Sequence, residues 1–116
     1  MEPQVTDYLS CTDYLRDYYL FRKGKNKNFS YESWSREIGY SHRSNLRLAV
    51  KGDRGLSTQL EKCIEQKIIK TVHQVRYFRL LCEIQRTKSL DKKSALQKKA
   101  MALQKYRTKT VGTDQG

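Results

Sequence analysis

The sequence predicts an all-α fold, a compact bundle of about five to six short helices. Three observations carry this expectation. Side chains that cap helix starts (Thr12, Ser30, Ser41, Ser57, Thr71, Ser89) recur ahead of apolar residues spaced three and four apart. No long stretch alternates polar and apolar residues as a half-buried strand does. Proline, which breaks helices, occurs once, at Pro3.

Taken in order, the short repeat Thr6-Asp7-Tyr8-Leu9 and Thr12-Asp13-Tyr14-Leu15 offers two helix starts. Thr12 is the better cap, because Leu15, Tyr18, Tyr19 and Arg22 follow at helical spacing. Gly24 and the basic run from Lys23 to Asn28 then end the first helix. A second helix starts near Ser30 and runs through Trp34 to Ile38, two apolar residues four apart on one face, and Gly39 stops it in the left-handed conformation. Ser41 caps a third helix to about Lys51, with Leu46, Ala49 and Val50 as its buried side and Gly52 as its stop. Ser57 opens a fourth, in which Leu60, Ile64 and Ile68 recur every fourth residue beside Cys63. Thr71 opens a fifth, whose broad apolar face (Val72, Val75, Tyr77, Phe78, Leu80, Leu81, Cys82, Ile84) marks it as central. Ser89 opens the last, at about 89–107, with Leu96, Ala100 and Leu103 in a narrow stripe, and a polar, disordered tail is expected over 108–116.

A length of 116 residues suits one domain, here 7–107. Charge is the strongest compositional signal, with 24 Lys and Arg against 12 Asp and Glu. An excess of this size is most often matched to nucleic acid, whose neutralised phosphates release condensed counterions. No apolar run is long enough for a membrane span, and the start Met1-Glu2-Pro3-Gln4 lacks a secretory signal, so a cytoplasmic, nucleoid-associated location is expected. Cys11, Cys63 and Cys82 are odd in number and widely spaced, which argues against a disulfide framework. With no C-x-x-C or H-x-x-x-H spacing, neither a metal nor another cofactor is expected, and His73 reads as an ordinary histidine.

Residues 31–51 carry the functional signal. A helix, a tight turn at Gly39 and a second short helix opening in polar and basic residues make the layout of a helix-turn-helix, whose second helix enters the DNA major groove amino end first. Trp34, Ile38, Leu46 and Val50 supply apolar contacts across the turn. His42, Arg43, Ser44, Asn45 and Arg47 are the candidate base contacts, since Arg donates bidentately to guanine and Asn pairs with adenine. Lys27, Ser30, Ser41, Lys51 and Arg54 are the candidate phosphate contacts. The same layout also suits a structural helical hairpin with a solvated charged face.

Five blocks follow in order: Asp13-Tyr14-Leu15-Arg16-Asp17-Tyr18-Tyr19, Phe29-Ser30-Tyr31, Gly39-Tyr40-Ser41, Gly52-Asp53-Arg54-Gly55-Leu56-Ser57 and Tyr77-Phe78-Arg79-Leu80-Leu81. Together they resemble the N-terminal half of a family of bacterial transcriptional regulators, which join a phage-repressor-like helix-turn-helix to a C-terminal domain of unknown function. The resemblance covers roughly residues 7 to 105 and implies a five-helix DNA-binding head with the recognition helix at about 41–51. It stops before the second domain, so no effector-sensing role is carried over. Asn45 departs from the aromatic or apolar residue expected there, and an inward-facing Asn45 would not be a base contact.

The segment from Arg86 to Lys109 has nine Lys and Arg and one acid, Asp91. Lys92, Lys93, Lys98, Lys99 and Lys105 surround its thin apolar stripe, which suits a docked, solvated helix, further phosphate contact or a self-association seam. Tyr14, Tyr18 and Tyr19 suit packing of the first helix better than stacking on unpaired bases. No nucleophile with its base and orienter, and no Gly-rich phosphate loop, suggests an enzyme or a small-molecule substrate. The sequence thus points to a DNA-binding transcriptional regulator on double-stranded DNA, as a homodimer if its site is paired. A nonspecific nucleoid-type binder and a protein-interaction module for an acidic partner are the alternatives.

Overall fold

In the computed structural model, residues 1–104 are described with their side chains and the backbone is described through residue 115. The expectation for 108–116 falls on residues whose side chains lie outside that description. Among the described residues the chain is all-helical: a 3-10 turn at Val5–Asp7, then α1 (Cys11–Lys25), α2 (Tyr31–Ile38), α3 (Arg43–Lys51), α4 (Thr58–Lys67), α5 (Val72–Arg86) and α6 (Leu90–Gln115).

Side-chain caps set most of these starts. Ser30, Ser57 and Thr71 accept from the backbone N–H three residues on, as their sequence positions predict. Ser30 goes further, forming a reciprocal capping box with Ser33. Two expected caps are corrected. α1 begins at Cys11 under Ser10, which accepts from the Asp13 N–H, while Thr12 lies inside the helix and accepts from Gln85 Nε2 at 2.9 Å. α3 begins at Arg43 after His42, and Ser41 is an exposed turn residue. The tight turn after Gly39 keeps Tyr40 and Ser41 outside the helix, which moves the cap one residue on, to His42. Gly24 does not end α1, which runs to Lys25.

α2 and α3 stop in the same way. Gly39 and Gly52 have φ of 74° and 85°, and the next residues, Tyr40 and Asp53, donate back to Ser35 O and Leu48 O at 2.8 and 2.9 Å. Tyr40 then turns inward, 3% exposed.

One core joins all the helices. Leu15, Trp34, Leu46, Ile64, Phe78 and Ala100 are each fully buried. α5 is central, touching α1, α4, α6 and the 3-10 turn, while α3 packs on α1 and α2. Val72 is a correction: at the first position of α5 it is 71% exposed, because the helix begins before it reaches the core. Cys82 is buried and Cys63 half-buried. α6 docks through Leu96, Ala100 and Leu103, and Gln104 Nε2 donates to Thr6 O at 2.8 Å, tying the two ends of the bundle together. No helix among the described residues is long and apolar enough to cross a membrane.

Candidate nucleic-acid interface

The placement of α3 follows from its sequence. Leu46, Ala49 and Val50 are at most 2% exposed, so the helix is seated on α1 and α2 by one side. The remaining side is turned out, and with it His42, Arg43, Ser44 and Arg47, all exposed. A seat of this kind fixes which residues a partner can meet, since rotating the helix would expose Leu46 and bury a cation.

The support beneath it is polar as well as apolar. Arg22 of α1 holds Glu37 of α2 through two bonds of 2.7 and 2.8 Å, and the guanidinium lies 4.6 Å from the Phe29 ring centroid. That pair holds the Glu37 carboxyl below its usual range and the Arg22 guanidinium above its own. Tyr18 stacks on Trp34 at 5.5 Å, and the loop before α2 is tied by Lys23 Nζ donating to Phe29 O at 2.7 Å. Tyr14, Tyr18 and Tyr19 therefore pack α1 onto the bundle, as expected.

The amino end of α3 differs from those of its neighbours. Its N-cap, His42, makes no side-chain cap bond, and no acid stands in its first turn. Arg43 places a cation at the first helical position, where the helix dipole already presents positive charge. The nearest carboxylate comes from another element: Glu32 of α2 lies 3.2 Å from Arg43 Nη1 and 3.6 Å from Arg36 Nη1. These residues, with Gly39, Tyr40 and Ser41, line an open cleft of about 380 Å³.

The remaining expected residues are more dispersed. Asn45 is half-buried and its Oδ1 accepts from Arg54 Nη1 at 2.8 Å, so two residues expected to meet DNA separately are bonded to each other. Lys51 ends α3, exposed. Ser30 spends its hydroxyl on the α2 cap. Lys27 is exposed in the loop between α1 and α2, with no described contact to α3. Sequence reasoning missed Glu32, Arg36 and Tyr40. The (i, i+4) spacing of Glu32 and Arg36 was a usable signal, but the approach of Glu32 to Arg43 depends on how the turn folds. Comparisons with protein families, with curated proteins and with solved structures find no match.

Proposed function

We propose that the chain is a DNA-binding protein of the helix-turn-helix type that acts in transcription regulation. In this reading α2 crosses the phosphate backbone and α3 enters the major groove by its amino end. One observation carries it: α3 is locked by a fully buried apolar side while its other side presents His42, Arg43, Ser44 and Arg47, and its amino end lacks any capping side chain or acid of its own. An uncapped helix start with a cation on it is electrostatically unfavourable alone and is relieved by an approaching phosphate. The excess of 24 Lys and Arg over 12 Asp and Glu supplies the long-range attraction.

The residue roles follow from exposure and side-chain chemistry. Arg43 and Arg47 are the base readers, and Ser41, Lys51 and Arg54 meet phosphates. Asn45 reads adenine only if Arg54 releases it. The sequence resemblance to phage-repressor-like regulators supports the same reading.

A nonspecific coating role is the second reading, favoured by the exposed Lys92, Lys98 and Lys99 of α6, a helix that packs on α5. Fluorescence anisotropy on random-sequence duplex at two salt concentrations tests DNA binding itself. Binding in the roughly micromolar range that weakens steeply with salt is expected, and no binding at low salt ends the proposal. Arg43→Ala then separates the two readings: a sequence reader loses about 1–3 kcal/mol of preference at one base position, whereas a coat protein weakens equally on every sequence.

A further inference from the structure

The arrangement around the start of α3 leaves one group unexplained by DNA binding. Glu32 is a carboxylate within a surface expected to meet phosphate, where its charge opposes the ligand. It stands in the first turn of α2, where the helix dipole favours an acid, but the hydrogen bonds of that start are already closed by the Ser30–Ser33 capping box. Its oxygen reaches two arginines at once, Arg43 at 3.2 Å and Arg36 at 3.6 Å, across the cleft that Ser41 also lines. Both arginines are well exposed, 62% and 72% by side chain, and Glu32 is 54% exposed. The three groups are therefore free to exchange partners without unfolding anything.

We propose that Glu32 is a built-in competitor for DNA: its carboxylate holds the guanidinium of Arg43 in the free protein and must release it when the duplex docks. The inference rests on the DNA-binding reading and names how that site is regulated. The Arg43 nitrogen that faces Glu32 is not free for a guanine edge, so the carboxylate and the duplex compete for the same guanidinium. The ion pair is solvent-exposed and hence weak, which suits a contact meant to be given up. It also gives the amino end of α3, which carries no acid in its first turn, a negative partner while DNA is absent. The consequence is a lower affinity for any duplex, so that binding is retained only where base contacts add to phosphate contacts.

A double-mutant cycle on the full chain tests this, with random-sequence duplex as probe and anisotropy at low salt as readout. Circular dichroism checks that Glu32→Gln, Arg43→Ala and the double variant keep the wild-type helix content. Glu32→Gln is expected to tighten binding about three- to fivefold in the wild-type background and by less than about 1.5-fold in the Arg43→Ala background, because the gain passes through Arg43. Equal tightening in both backgrounds would mean a general charge effect and overturns the proposal, as does no tightening while the wild type binds. If the wild type itself fails to bind at low salt, the DNA-binding reading falls and this inference with it.

Discussion

Leu46 has no exposed surface, yet Asn45 and Arg47 on either side of it are half-buried and exposed. That alternation makes Leu46 the residue on which the orientation of α3 depends. Truncating it to Ala removes buried methyl groups and leaves a cavity between α1, α2 and α3, for an expected loss of about 2–5 kcal/mol. Thermal or urea unfolding followed by circular dichroism measures this, and a loss below 1 kcal/mol would show that the site collapses without cost. At this scale the apolar side of α3 was legible from spacing alone, because periodicity reports which side of a helix faces the core. The pairing of Asn45 with Arg54 was not: nine residues and a turn separate them, and side-chain polarity does not disclose which of two neighbours a donor will choose.

Two helices, α2 and α3, end where glycine lets them. Gly39 and Gly52 both hold positive φ, and a Cβ on Gly39 would meet nothing within 4 Å. Gly39→Ala therefore costs backbone strain without a clash, about 1–2 kcal/mol. Gly24 offers the opposite case, since it lies inside α1 with nothing within 4 Å of a Cβ. Gly24→Ala is expected to stabilise by about 0.5–1 kcal/mol. Paired melts of the two variants check the contrast, and a shift of the same sign in both would refute it. The stops at Gly39 and Gly52 were readable in advance, whereas the caps were readable only in part. Ser10 and Thr12 are both competent N-caps two residues apart, and the choice falls to Ser10 because the hydroxyl of Thr12 is engaged by Gln85 of α5.

Across the whole molecule, tyrosine hydroxyls join distant parts of the chain. Tyr77 donates to Tyr8 O, and Tyr8 donates to Asp17 Oδ2 at 2.7 Å, linking α5, the amino-terminal segment and α1. Burial, reinforced for Tyr8 by Asp17, pushes both hydroxyls up to about 12, and burial raises Tyr14 as well. Because the folded-state values lie above the unfolded value of about 10, the neutral phenol is the form the fold favours. That stabilisation is fully present below pH about 10 and is lost as pH rises toward about 12. The melting temperature is expected to fall through that window, with tyrosinate absorbance appearing at higher pH in the native chain than in the denatured one. Coincident titration of the two states would contradict it.

The sequence by itself determined the all-helical class, the central place of α5, the buried side of α3 and the glycine stops, because each depends on local spacing or on backbone freedom at one residue. Only the tertiary structure decided which cap starts α1, that α3 begins at Arg43, that Tyr40 anchors the turn and that Glu32 reaches across to Arg43. Those outcomes depend on how a turn closes or on contacts between groups apart in the chain, such as Gln85 with Thr12, and packing distance, which no local pattern encodes, resolves them.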